Sequence, residues 1–272
     1  MVEDYVTVDG VVTHYVVSGS GSPLVLVHGW GGSWITYRHN IAELAEEHRV
    51  YAVDLPGNGG SGFPEGADFS AETGGEFISR FLEQVVREPA ALAGVSAGGL
   101  LCALAAARRP DLVSHLILIS SAGLGRNISW GLRLVTLPGL DPFVGQPTPG
   151  SVRLALSQQI FDQSLVTDEL VAALCEDRRA PGNRLALLRG LRSNISLLGV
   201  KRWRRHFRAV SRLAMPVLIV WGRQDKLIPV RHAYRGLRAI SGARLKVFDR
   251  CGHLPPYERP QEFNRAVREF LA

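Results

Sequence analysis

The sequence predicts an α/β fold: a mostly parallel sheet with helices on both faces and a helical segment inserted late in the chain. Three observations lead there. Short apolar runs bounded by Gly, Pro and Asp alternate with stretches of helical periodicity, the order a parallel sheet with crossover helices requires. The chain opens on two alternating apolar–polar stretches joined by Asp9-Gly10, the signature of a hairpin. One long interval, 123–210, carries helical patterns and Pro/Gly breaks with no buried-strand signal.

The elements follow in order. Tyr5–Val8 and Val11–Val17 form the hairpin and add antiparallel strands at one sheet edge. Leu24–Val27 is a buried strand ending at His28-Gly29, and Ile41–Glu47 is helical. Val50–Val53 is a second buried strand, ending at Asp54-Leu55-Pro56-Gly57. Glu76–Val86 places Phe77, Ile78, Phe81, Leu82 and Val85 at helical spacing. Then come strand Ala91–Val95, helix Leu100–Ala107 and strand Leu116–Ile119. Beyond the interval, strands Val217–Trp221 and Arg244–Phe248 flank a helix at Val230–Ile240, and Phe263–Leu271 closes as an amphipathic helix. Within the interval, helices are expected around Val152–Phe161, Asp168–Asp177 and Arg184–Leu191. The expected division is a core of 1–122 and 211–272 and a helical cap of 123–210.

Composition narrows the function classes. At 272 residues, 46% hydrophobic and 21% charged, the chain has the length and balance of one large folded core. Cys102, Cys175 and Cys251 are far apart with no CxxC pair, which argues against a zinc site or a disulfide framework. The uncharged stretch Ala90–Ala107 approaches membrane-span length, but Gly94, Gly98 and Gly99 mark a strand, a turn and a helix instead. The acidic N-terminus lacks the basic start and apolar core of a secretory signal, so a cytoplasmic location is expected. Net charge is +6, and the cap carries the excess, with 13 Lys+Arg against 6 Asp+Glu. No nucleic-acid-binding module accompanies it.

The chemistry lies in Gly94-Val95-Ser96-Ala97-Gly98-Gly99, between a strand and a helix. A residue at so sharp a corner holds a strained backbone, and side chains two positions away on either side would collide; Gly94 and Gly98 have none. A serine hydroxyl is a weak nucleophile at neutral pH and needs a general base, itself oriented by an acid. His253, in Cys251-Gly252-His253-Leu254, follows the last strand, and Asp225, in Trp221-Gly222-Arg223-Gln224-Asp225, follows the one before it. Both fall at carboxyl strand ends, the edge where sites form in open parallel sheets. His28-Gly29-Trp30-Gly31-Gly32 follows the first buried strand. It would supply one oxyanion donor, the Trp30 N–H, beside that of Ala97. Asp249 and Ser120-Ser121 are the other places near which an acid could stand; the first has a structural look and the second has no carboxylate.

Together His28-Gly29-Trp30, Asp54-Leu55-Pro56-Gly57 with Ser61, Gly94–Gly99, Trp221-Gly222 with Asp225, and Gly252-His253 resemble the α/β-hydrolase superfamily. The likeness is to its small-cap serine hydrolases: carboxylesterases, carbon–carbon-bond hydrolases, lactonases and cofactor-free haloperoxidases. The resemblance implies the α/β-hydrolase fold and a triad of Ser96, Asp225 and His253. It implies an oxyanion hole of Trp30 and Ala97, a pocket near Gly29, Trp34, Val95 and Leu254, and no cofactor or metal. His28 and Asp54 are expected to hold loops, and the cap arginines to lie on solvated helix faces.

The expected activity is hydrolysis of carboxylic esters of small or medium acyl chain through an acyl-enzyme. The substrate is a small molecule, and the expected partners include no nucleic acid, no membrane span and at most a second copy of the chain. Dehalogenases and epoxide hydrolases of similar framework use Asp as nucleophile, which Ser96 excludes. Carbon–carbon hydrolases usually carry Asn before the nucleophile and Trp after the catalytic His, where this chain has Val95 and Leu254. They remain an alternative, with lactonase, haloperoxidase or perhydrolase, and a ligand-binding receptor of the same fold.

Overall fold

The structure, a computed structural model, describes residues 1–141, 144 and 146–272. The strands are β1 (Val2–Val8), β2 (Val11–Ser18), β3 (Ser22–Val27), β4 (His48–Val53), β5 (Ala90–Val95), β6 (Val113–Ile119), β9 (Val217–Gly222) and β10 (Arg244–Phe248). They form one sheet in the order β1-β2-β4-β3-β5-β6-β9-β10. β1 and β2 are antiparallel, and from β4 to β10 every pairing is parallel. Asp9 and Gly10 both adopt positive φ, 47° and 79°, the geometry that matches a tight turn to the strands' twist.

The central parallel strands β3, β5 and β9 bury both faces, as their unbroken apolar runs require, whereas the edge strand β10 leaves Arg244 and Lys246 exposed. Leu24, Leu26, Ala93, Ile117, Ile119 and Val220 pack on one side with α1 (Ile41–Leu44) and α11 (Pro260–Leu271). Val25, Val27, Leu92, Leu118, Ile219 and Trp221 pack on the other with α2 (Ala71–Phe81) and α3 (Ala97–Arg108). Burying each of these Leu, Ile and Val side chains stabilises the fold by about 1.5–3 kcal/mol. α2 begins five residues before the expected helix, capped by the Ser70 hydroxyl, and its last turn widens over Leu82–Val86 before Arg87 ends it at φ 63°. α9 (Arg231–Ala239) covers β9 and β10, and α10 (Pro255–Glu258) follows the last strand.

Between β6 and β9 lie α4 (Trp130–Leu134), α5 (Pro149–Gln159), α6 (Asp168–Asp177), α7 (Pro181–Asn194) and α8 (Trp203–Val210). Proline at the first position of α5 and α7 and the Thr148 and Thr167 caps start three of these helices. Two features differ from expectation. A short antiparallel hairpin, β7 (Ile195–Ser196) and β8 (Gly199–Val200), sits in the interval where no strand was foreseen; two residues per strand leave no periodicity to detect. Second, α8 packs against α3: Trp203, Phe207 and Val210 face the core, and Arg204, Arg205 and Arg208 face outward.

Candidate active site

The register of the sheet brings the motif-bearing loops to one edge. Val27 lies beside Gly94, Val95 beside Ile119, Ile119 beside Val220, and Gly222 beside Phe248. The residues that follow these strand ends, His28, Ser96, Ser120, Asp225 and His253, therefore emerge from the same side.

Ser96 adopts φ 57° and ψ −116° at the head of α3. A non-glycine residue there carries about 1–3 kcal/mol of strain, which the surroundings must hold. They do so through Ser96 N–H to the Ile119 carbonyl (2.8 Å) and Ala122 N–H to the Ser96 carbonyl (2.9 Å). A Cβ on Gly94 would lie 2.4 Å from the Gly98 carbonyl, and one on Gly98 would lie 2.4 Å from the carbonyl oxygens of Val27 and His28. Only glycine lets the turn close. The Ser96 hydroxyl has no hydrogen-bond partner among the described residues.

Asp225 and His253 are brought together. His253 Nδ1 lies 2.8 Å from Asp225 Oδ2, with side-chain exposures of 3% and 0%. Asp225 Oδ1 accepts the backbone N–H groups of Leu227 (2.8 Å) and Ile228 (2.9 Å), which locks the carboxylate plane. A carboxylate at Nδ1 places the imidazole proton there and leaves Nε2 free to accept one. Of the alternative acids, Asp249 is exposed and paired with Arg223, and Ser120 is a buried hydroxyl.

The loop carrying His253 is held from the inserted segment. His253 N–H donates to the carbonyl of Gln159, the last residue of α5, at 2.6 Å. Glu258 is buried and accepts four bonds: two from Gly252 N–H at 2.9 Å, one from Leu254 N–H at 3.1 Å, and one from Phe161 N–H at 2.7 Å. Burial pushes its carboxyl above the usual range, against the pull of those N–H groups. A Cβ on Gly252 would meet the Gln159 oxygen at 2.3 Å, so the two segments interlock.

The loop after β3 is organised from its other side. His28 Nε2 accepts Leu55 N–H (3.0 Å), so Nδ1 carries the proton and donates to the Gly29 carbonyl (2.6 Å). Burial lowers the His28 pKa and keeps the ring neutral. Because carbonyl and N–H point oppositely in a trans peptide, fixing the Gly29 oxygen fixes the Trp30 N–H as well. Neither the Trp30 nor the Ala97 N–H has an acceptor among the described residues. Gly29 stands against Ser96, whose Cβ would be 3.0 Å from a Cβ there. Asp54 organises its own turn, accepting Trp34 N–H (2.7 Å), Gly60 N–H (3.0 Å) and His14 Nδ1 (2.7 Å).

Arg178 corrects the reading of the cap arginines as solvated. Its Nε and Nη2 donate to the Gly31 carbonyl at 3.0 and 2.7 Å, because the end of α6 lies on the loop after β3. Its neighbour Asp177 has its pKa raised by burial to about 6; the Ser33 hydroxyl and the Arg178 charge pull down while Asp54 pushes up. Asn58 accepts Gly31 N–H at 3.2 Å. None of Glu258, Arg178 and Asn58 stood out in sequence, since each is a common surface residue type in a polar setting.

Around the edge, the Trp30 ring lies against Gly190 of α7. Trp34 is half-buried in a short turn, and Leu254 is half-buried between two apolar clusters. Val95 is 1% exposed and packs into the core beneath the sheet, so its side chain does not open onto the edge. Among the described residues, no group of His, Cys, Asp or Glu is arranged to hold a metal ion, and no helix is long and apolar enough to cross a membrane.

Comparison with known proteins agrees with this architecture. The chain is 29% identical to 2-hydroxy-6-oxo-2,4-heptadienoate hydrolase of Pseudomonas putida, over 97% of this chain and 94% of that one. It superposes on a meta-cleavage product hydrolase of Pseudomonas fluorescens with a TM-score of 0.84, at 28% identity, covering 98% and 97% of the two chains. It matches a bacterial membrane phospholipase A with a TM-score of 0.84, at 27% identity, covering 99% of this chain and 85% of that one. Residues 22–260 match the family model of the alpha/beta hydrolase fold. The chain is a member of the α/β-hydrolase fold family.

Proposed function

We propose that the protein is a serine hydrolase that cleaves carboxylic esters of small or medium acyl chain. The observation that carries this reading is the buried Asp225–His253 pair at the same sheet edge as the strained Ser96. His253 Nε2 takes the proton of Ser96 Oγ as the oxygen attacks the ester carbonyl, and Asp225 stabilises the imidazolium. The oxyanion is held by the N–H groups of Trp30 and Ala97, each worth about 3 kcal/mol of barrier lowering. The intermediate collapses to the acyl-enzyme as His253 returns the proton to the departing alcohol. Water, deprotonated by His253, then releases the acid and restores Ser96. Segment 123–210 acts as the cap, and Gly29, Trp34 and Leu254 border the substrate.

A second reading, cleavage of a carbon–carbon bond in a vinylogous diketone, is favoured by the hydrolase relative from Pseudomonas putida. Against it stand the apolar Leu254 beside His253 and the buried Val95 before Ser96; for the ester reading stands the likeness to a phospholipase, an ester-cleaving enzyme. The experiment is a kcat/KM series over p-nitrophenyl esters of rising chain length, a lactone and a vinylogous diketone, with Ser96→Ala as control. Esters should turn over, and Ser96→Ala should lose about 10⁴-fold or more. A diketone preferred over the best ester by tenfold would select the second reading. Silence of the folded protein on every substrate would favour a ligand-binding receptor.

A further inference from the structure

Two-residue hairpin turns normally carry Gly, Asn or Asp. The turn between β7 and β8 carries Leu197 and Leu198, and both stand in solvent, at 45% and 68% exposure. α4 packs against β7 and carries two further exposed apolar residues, Trp130 (67%) and Leu134 (47%). Arg126, just before α4, ties the two parts by donating its Nε to the Leu198 carbonyl at 2.6 Å. An open groove of about 610 Å³ runs alongside, with Thr136, Pro138, Leu197, Leu198, Arg192 and Lys201 in its walls. Local turn chemistry gives no reason for an exposed leucine pair, and adjacent exposed apolar side chains beside an open groove mark a place of contact.

The charge around it is one-sided. Arg126 and Lys201 donate to the main-chain carbonyls of Leu198 and Arg192. Arg133 donates to the Ile128 carbonyl, and its guanidinium lies 4.6 Å over the Trp130 ring. None of these three cations has a carboxylate partner among the described residues. The one carboxylate lining the groove, Asp141, is bound to Arg192. An apolar tip ringed by unneutralised cations, with a tryptophan beside it, complements anionic headgroups above acyl chains.

We propose that this face seats the enzyme on an anionic lipid surface. Leu197 and Leu198 enter the boundary between headgroups and acyl chains, Trp130 lies at the interface, and Arg126, Arg133 and Lys201 pair with lipid phosphates. The inference does not depend on which bond Ser96 cleaves. It also gives the excess positive charge of segment 123–210 a role.

The test is co-sedimentation of the full chain with vesicles of phosphatidylcholine alone, or with about a third phosphatidylglycerol, at low and high salt. Binding is expected only to the mixed vesicles and should fall at least about tenfold on raising the salt. Leu197→Ser/Leu198→Ser and Arg133→Gln/Lys201→Gln should each weaken it at least about tenfold, with Tm and turnover of p-nitrophenyl acetate unchanged. Failure of the wild type to bind mixed vesicles at low salt overturns the proposal. So does wild-type binding by both double variants, or a dimer in light scattering that both variants dissolve, which would make the face a subunit contact.

Discussion

Asp225 gives one carboxylate oxygen to His253 Nδ1 at 2.8 Å and commits the other to the backbone N–H groups of Leu227 and Ile228. The carboxylate therefore cannot rotate without breaking two main-chain bonds, and the histidine it orients inherits that rigidity.

Asp225→Asn tests this arrangement. The Asn oxygen keeps the two backbone N–H bonds, which turns its NH2 toward His253 Nδ1 and moves the ring proton to Nε2. Ester kcat should fall by about 10³–10⁴-fold while Tm stays within a few degrees. Steady-state kinetics and a thermal melt decide; a loss below tenfold would show that Asp225 does not set the tautomer.

Glu258→Gln replaces an all-acceptor group with one whose NH2 faces the N–H groups of Gly252, Leu254 or Phe161. Leaving buried donors unpaired should cost about 1–3 kcal/mol of stability. Displacing the His253 loop should lower kcat by about ten- to a hundredfold with KM nearly unchanged. Unaltered kcat in a destabilised variant would reduce Glu258 to a purely structural residue.

Arg178→Met keeps the stem but removes both donors to the Gly31 carbonyl. Tm should drop, reflecting about 1–3 kcal/mol for the orphaned oxygen. Ester kcat should fall, by no more than the hundredfold or so that one misplaced oxyanion donor can cost. Chemical denaturation and kinetics on the same preparation separate the two effects.

Asp177 should make stability depend on pH. Its carboxyl titrates in the folded chain near 6 instead of the ordinary 3.8. Between those values the folded chain holds a proton that the unfolded chain has lost, so stability falls as pH rises through the window, and the whole deficit remains above it. Relative to wild type, Asp177→Asn should gain in Tm from pH 4 to pH 6.5 and then hold level. A Tm difference that is constant over this range overturns the assignment.

Sheet, helices and the edge carrying Ser96, Asp225 and His253 were readable because each rests on local pattern. Strand runs such as Leu24–Val27 are apolar on both faces, and the glycines around Ser96 are dictated by backbone collisions within a few residues. The rest depends on contacts between distant segments. Phe161 and Glu258 are separated by 97 residues, and Arg178 and Gly31 by 147. Nothing near Arg178 distinguishes it from Arg179, which pairs on the surface with Glu176. The extra helices α4 and α8 were missed for a related reason: α4 is five residues long, and the apolar face of α8 is interleaved with arginines.

The ends of α5 and α6 reach the loops that follow β10 and β3, through Gln159 to His253 and through Arg178 to Gly31. Under the proposed mechanism, selectivity and turnover are thus not separable modules. A chimera that exchanges residues 123–210 for a relative's segment should then alter the seating of the His253 and Gly31 loops along with whatever the segment contributes to substrate preference. Recombination here would reset rate and preference together unless both junction contacts travel with the graft.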